Sequence, residues 1–359
     1  MTERIIVKNF GPINDIEIDI RNINIFIGTT SSGKSTVAKL IAIFQTDGIR
    51  NHLNSENKKG QKQNDSLKKF HKMLLAYNIH FPFDGSTVIR YERGGLYFEI
   101  RNTFMESTFS PYNALPLMNP VYIPAERVFY STLSQSIFSL INNDVSLPKW
   151  LLDFGNKFEK ARRDLSSLEI QFLNTTYSFN DGNDMLALTN GQTIRLSQAS
   201  SGLQSIIPLM IVLQALTEDQ NNIEKEFGND FFIIEEPEMN LFPSSQKSLL
   251  EFIIERVKRC ADKVVITTHS PYILTSLDNL VQAENVSREP DMETSVEQLV
   301  PKELWTNFDD VSCYFFDNGE AQNTLDPELR SLGPSKIDNV SDDLGKTFEA
   351  LLNLKYSTE

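Results

Sequence analysis

Gly28-Thr29-Thr30-Ser31-Ser32-Gly33-Lys34-Ser35 decides the reading of this chain, because it matches the phosphate-cradling pattern G-x-x-x-x-G-K-[ST] in full. An apolar run from Ile23 to Ile27, broken only by Asn24, precedes it. The helix-forming stretch Val37 to Phe44 follows it. That strand–loop–helix context is what the motif requires. Glycines let the backbone wrap a triphosphate, and the loop amides with the helix amino end attract negative charge. Lys34 is expected to bridge the terminal phosphates, the Ser35 hydroxyl to bind Mg²⁺, and Thr36 to complete the loop. The sequence therefore predicts a nucleoside-triphosphate site with ATP and Mg²⁺ as cofactors.

Working outward, 359 residues make one large domain or two modest ones, and 40% apolar content allows a substantial core. No run of eighteen apolar residues exists, so no membrane span is expected, and MTERIIVKNF lacks the layout of a signal peptide. Two cysteines, Cys260 and Cys313, are too few for a disulfide framework or a zinc site. They read as free thiols in a reducing cytoplasm. A net charge of −14 excludes a surface that is basic all over, so DNA contact requires a local patch or a partner.

Three further motifs narrow the class. Phe231-Phe232-Ile233-Ile234 reads as a buried strand ending in Glu235-Glu236-Pro237-Glu238, a Walker B layout with glutamate where aspartate is commoner. Glu235 is expected behind the metal, and Glu236 is placed to accept a proton from the attacking water. Val264 to Thr268 is a β-branched strand delivering His269 at its carboxy end, the edge where parallel sheets bind ligands. His269 follows Glu236 by 33 residues, room for one helix and the next strand, and it is expected to sense the terminal phosphate. Leu196 to Ser205 opens a long apolar helix, Ile206 to Leu216, with small hydroxyl residues and Gly202. Alone, this reads equally as a second anion-attracting helix start or as a plain serine-rich cap.

Together, in chain order, the four motifs resemble the ABC-type ATPase heads, a class of transporter engines, chromosome-maintenance and break-repair ATPases, and OLD-family proteins. The closer likeness is to the OLD-like branch, which includes ATPase subunits of anti-phage systems such as Septu and PARIS. It rests on Asn9-Phe10-Gly11-Pro12-Ile13, Ala199 to Ser205, Glu235 to Pro243 and Thr268 to Leu274. The resemblance implies an α/β P-loop fold with a mixed core sheet, flanking antiparallel strands and an inserted helical lobe. It implies that Ser200, Ser201, Gly202 and Gln204 cap ATP held by another subunit, with Asn240 in the loop that crosses the interface. It thus implies a homodimer or larger oligomer joined head to tail, acting on a separate effector, a nuclease in phage defence. Glu235 in place of aspartate and a signature without its double glycine lead us to expect slow hydrolysis. A DNA-repair ATPase and, less so, a transporter subunit are the competing classes.

Elsewhere the reading follows pattern. Residues 1–45 and 190–359 are assigned to the ATPase core, and 46–189 to a strand hairpin plus the lobe. Ile16, Ile18 and Ile20 alternate with acids as a half-buried strand does, and Ser86 to Asn102 reads as a hairpin turning at Gly94-Gly95. Asn54 to Ser66 reads as an exposed loop, and Trp150 to Leu173 as helices of the lobe. Arg127 is expected either to reach phosphate or to pair with an acid, and no conventional glutamine loop can be placed, Gln45 being a poor candidate. Val311 to Phe316 reads as one more strand, and Val340, Leu344, Phe348 and Leu352 as a packing stripe of a helix. The Toprim nuclease of OLD nucleases finds no room after the histidine strand. Basic clusters at Lys157, Lys160, Arg162, Arg163 and at Arg256, Lys258, Arg259 read as solvated faces, weak evidence for DNA.

Overall fold

The computed structural model describes residues 3–46, 63–94, 96–101, 104–109, 118–133, 147–165, 167–218, 229–333 and 338–356. The chain opens with β1 (Glu3–Phe10), β2 (Ile13–Ile20), β3 (Ile23–Gly28), α1 (Lys34–Gln45) and α2 (Gln63–Ala76). Next come β4 (Val88–Arg93), β5 (Leu96–Arg101), β6 (Phe104–Phe109), β7 (Asn119–Ile123), α3 (Val128–Leu133) and α4 (Lys149–Asp164). Four short strands follow: β8 (Ser167–Ile170), β9 (Thr175–Asn180), β10 (Asn183–Leu188) and β11 (Thr193–Arg195). The second half holds α5 (Ser201–Glu218), β12 (Asp230–Glu235), α6 (Pro243–Arg259), β13 (Lys263–Thr268) and α7 (Pro271–Ser287). Last are α8 (Glu293–Glu297), β14 (Val311–Asp317), β15 (Glu320–Asn323) and α9 (Asp338–Tyr356).

Eleven strands form one mixed sheet in the order β6-β5-β4-β1-β2-β15-β14-β3-β13-β12-β7. From β14 to β7 every neighbour is parallel. β3, β12 and the last five residues of β13 are buried throughout, as expected of strands covered on both faces. The β6-β5-β4-β1-β2 wing is antiparallel, and β2 alternates much as its isoleucines require. β14 is more than one further strand, because it lies directly beside the phosphate-loop strand. The α/β P-loop ATPase fold, with its large mixed sheet, is therefore the one expected from the sequence.

From the 46–189 region, β4 to β7 extend the main sheet at both of its ends. Two expectations change. The helix ends at Asp164, and Ser167–Ile170, expected within the helices that run to Leu173, is instead the first strand of a separate four-stranded antiparallel sheet that runs to Arg195. Its signal was present: Asn180-Asp181-Gly182-Asn183 is a hairpin turn, with φ of 49° and 78° at Asp181 and Gly182. Of the expected packing stripe on α9, Phe348 and Leu352 are exposed, while the side chains of Val340 and Leu344 lie outside the described ones. Residues 54–62 of the expected loop lie outside the described residues, and 63–66 begin α2. Glu3, Tyr91, Arg93 and the backbone of Met118 hold Gln45 in a buried network, a structural post. Helix α5 is long and apolar enough to cross a membrane, yet 72% of it is buried and it packs on α4 and α6.

Candidate functional site

The parallel strands β3, β12, β13, β14 and β7 all end at one edge of the sheet, so the motifs that follow them converge without further assumption. The loop between β3 and α1 is held open by backbone geometry. Gly28, Ser31 and Gly33 have φ of 151°, 60° and 104°. A Cβ on Gly28 would lie 2.0 Å from the Phe316 carbonyl oxygen, and one on Gly33 would lie 2.8 Å from Ile13 Cγ1. Only glycine fits at either place. Ile13 belongs to the Phe10-Gly11-Pro12-Ile13 turn, so that motif serves as the floor of the phosphate loop.

Thr29 is tied to the β14 end twice. Its amide donates to the Phe316 carbonyl at 3.1 Å, and its hydroxyl meets Asp317 Oδ1 at 3.2 Å. Ser32 Oγ donates to the Thr29 carbonyl. Thr29, Thr30 and Ser31 are exposed, while Ser35 and Thr36 are half-buried at the helix start. The Lys34 ammonium folds back on its own loop, donating to the carbonyls of Gly28 (3.0 Å) and Thr29 (2.7 Å). Burial pushes it down to about 8, against the pull of Glu236 and Glu238, which favours the charged form. Incoming phosphate oxygens offer this ammonium better partners than two carbonyls.

Glu235 and Glu236 divide as their positions require. Glu235 ends β12, is 5% exposed, and its Oε1 has no hydrogen-bond partner among the described residues. An orphaned buried carboxylate oxygen on the sheet edge that carries Ser35 suits Mg²⁺, which takes one or two protein ligands and completes its shell with phosphate and water. Glu236 is half-buried and adopts φ 42°, a left-handed conformation costly for glutamate. Its carboxylate faces His269, with Nε2 at 3.5 Å from Oε1. The two expected catalytic groups are thus neighbours.

Two residues supply the support. Glu238, quoted in the sequence motif without a role, accepts from Thr268 Oγ1 (2.6 Å) and from the His269 amide (2.8 Å). It pins the turn that presents His269. Arg127 is 0% exposed and takes neither of its expected roles. Its guanidinium donates to the carbonyls of Pro124, Ser205, Glu235 and Glu236 at 2.6, 3.1, 2.6 and 2.8 Å, and to Ser205 Oγ at 3.3 Å. All five of its N–H donors are taken by these oxygens, so none is left for a carboxylate or a phosphate. Arg127 therefore clamps the acidic strand end to the first turns of α5, and burial lowers it to about 10.

At that start, Ser200 and Ser201 are exposed and Gly202 is buried. A Cβ on Gly202 would meet the Asn240 carbonyl oxygen at 2.7 Å, so the serine–glycine start and the Asn240 loop are packed together. Asn240 is itself exposed with φ 62°. Gln204 Nε2 donates back to the carbonyls of Ser197 and Ala199, which shapes the approach to α5 rather than reaching outward. Among the described residues, Ser200 and Ser201 make no hydrogen bond to the phosphate loop of the same chain.

A family model described as an AAA ATPase domain matches residues 1–93 and 125–274. No curated protein sequence matches the chain. Solved structures similar to it include the SMC head domain from Thermotoga maritima, 12% identical with a TM-score of 0.42, covering 90% of this chain and 97% of that one. An ATP-binding cassette of an ABC transporter in its ADP conformation is 13% identical with a TM-score of 0.38, covering 90% of each chain. The recombination mediator protein RecF is 11% identical with a TM-score of 0.39, covering 90% and 98%. At these identities and scores, none of the three bears on what the chain does.

Proposed function

The chain belongs to the AAA ATPase domain family, and from that premise we propose that it binds and slowly hydrolyses ATP and thereby regulates a separate effector, a nuclease of anti-phage defence. The observation that carries the ATPase reading is the convergence of Lys34, Glu235, Glu236 and His269 on one sheet edge. In this reading the loop amides and Lys34 hold the phosphates. Ser35 and Glu235 would hold Mg²⁺, which supplies charge neutralisation when bound. Glu236 takes the proton of the attacking water, and His269 beside it registers the terminal phosphate.

Head-to-tail pairing is supported by the exposure of Ser200, Ser201 and Asn240 on one packed unit, where a second subunit's ATP can meet them. The effector and its defence role rest on the likeness of the four motifs to OLD-like ATPase subunits. The test is coexpression with the neighbouring open reading frame, followed by phage plating with wild type and with Glu236→Gln. A nucleotide-dependent complex that protects cells, and protection lost in the variant, supports the proposal. DNA-stimulated hydrolysis with no effector complex overturns it in favour of a DNA-repair ATPase. DNA cleavage by the purified chain alone overturns the separate effector.

A further inference from the structure

A cleft of about 770 Å³ opens beside the edge strand β7, between α2 and α4, and no residue of the phosphate loop lines it. That volume lies within the range of small-molecule and cofactor sites. Its floor is apolar, with Met73, Tyr77, Tyr122 and Trp150. Tyr122 packs edge-on against Tyr77 and Trp150 at 5.6 and 5.8 Å, which fixes the rings as one surface. Met73 and Tyr77 are half-buried and keep part of that surface open. Trp150 is 7% exposed, and its indole N–H has no partner among the described residues, a donor left for a ligand atom once the ring shifts.

Two pairs of lysines stand on the opposite walls, Lys69 and Lys72 on α2 and Lys157 and Lys160 on α4. Each pair is spaced i, i+3, so like charges lie side by side on one helix face, a destabilising arrangement. A fifth lysine, Lys149, is held by Asp153 at 2.7 Å, and Asp153 is the one acid among the described lining residues. The other four lysines make no ion pair among the described residues. Burial pushes the Lys157 ammonium below its usual range, although Asp230 and Asp153 pull the other way. The neighbouring Arg162 and Arg163 turn to Asp184 and Glu159, so the basic run of α4 divides into structural arginines and lysines left to the cleft. In a chain of net charge −14, four uncompensated cations around an aromatic floor single out one kind of ligand. It has a flat apolar body for the rings and phosphate oxygens for the ammonium pairs.

We propose that this cleft is a second nucleotide site, with the base on the floor of Met73, Tyr77 and Trp150 and the phosphates between the two lysine pairs. It backs onto the first site. Tyr122 stands opposite Ile233 in the paired strands, two residues before Glu235. Lys39, one turn after Ser35 on α1, places its ammonium 5.9 and 5.5 Å from the ring centres of Tyr122 and Trp150. A nucleotide in the cleft thus rests against both elements that would hold Mg²⁺, the position of a regulatory ligand rather than a substrate. The base-and-phosphate unit can come from a free nucleotide or from a nucleic-acid strand, and the test separates the two. The site stands or falls without the effector and the head-to-tail pairing proposed above.

The test is titration calorimetry on the full chain carrying Lys34→Ala, which disables the first site. The probes are ATP, adenosine, tripolyphosphate, an oligothymidylate strand and an oligoglutamate peptide. ATP is expected to bind and, in a Trp305→Phe background, to quench the fluorescence of Trp150. Its Kd should rise by about tenfold or more with Lys157→Glu plus Lys160→Glu, and again, from the other wall, with Lys69→Glu plus Lys72→Glu. Adenosine and tripolyphosphate, each lacking half of the ligand, should bind about tenfold or more weaker than ATP. A strand that outbinds ATP with the same lysine dependence upholds the site and identifies nucleic acid as the source; the reverse order identifies a free nucleotide. Failure of both ATP and the strand to bind well-folded chains overturns the proposal. So does binding indifferent to both lysine pairs, because the nucleotide then sits elsewhere. So does tripolyphosphate or oligoglutamate matching ATP, since the floor then reads no base. With Lys34 absent throughout, the outcome is independent of whether the first site hydrolyses ATP.

Discussion

Replacing Arg127 by alanine removes five hydrogen bonds from a fully buried site, four of them to backbone carbonyls of three separate segments. At about 1–1.5 kcal/mol net each, that loss is worth ~5–7 kcal/mol. Part is recovered, because the charged guanidinium is held in the interior against its preference for water. Its fall from 12.5 to about 10 corresponds to ~3 kcal/mol. The balance is a destabilisation of roughly 2–4 kcal/mol for Arg127→Ala, measured by urea unfolding. Arg127→Lys, with three donors on a point charge, is expected to recover no more than half of it. A second readout separates position from stability. Glu236 holds an unfavourable φ of 42° while its carbonyl accepts from Arg127. Below the unfolding transition, Arg127→Lys is therefore expected to lower kcat by on the order of tenfold or more, with the Kd for ATP nearly unchanged. Wild-type stability and wild-type kcat in Arg127→Ala would refute the clamp.

The remaining predictions concern the ATP site. Free Lys34 sits at about 8 and bound phosphates favour its charged form, so ATP affinity is full below pH 8 and falls above it. The Kd at pH 9 should be about tenfold weaker than at pH 7, a slope seen by titration calorimetry and absent in Lys34→Ala. Glu236→Gln keeps shape and loses the base, so hydrolysis should fall by roughly 10²–10⁴-fold while filter binding still detects retained ATP. Lys34→Ala and Ser201→Arg should each abolish turnover. Mixed together they should restore some of it, because one composite site regains both intact halves; mixed dimers without recovery would count against head-to-tail pairing.

What the sequence by itself determined is everything carried by short, local patterns. A glycine-rich loop between an apolar run and a helix-forming run has one stable geometry, so residues 28–36 could be read as they stand. The apolar runs ending at Glu235 and Thr268 could only be parallel core strands, and parallel strands deliver their ends to one edge. The order of motifs along the chain thus fixed which side chains share the site. Other features depended on tertiary structure because they join distant segments. Arg127 reaches Ser205 and Glu236, 78 and 109 residues away, and no local periodicity encodes that choice of carbonyls over a carboxylate. Glu238 became a support for His269 only once β12 and β13 lay side by side. Threonine- and serine-rich strands from 167 to 195 carry weak period-2 signals beside a clear helix, and only pairing through their hairpin turns decided for a sheet. The same holds for α9. Its apolar stripe is plain in the sequence, but whether a stripe is buried depends on what surface stands opposite it, and Phe348 and Leu352 are exposed.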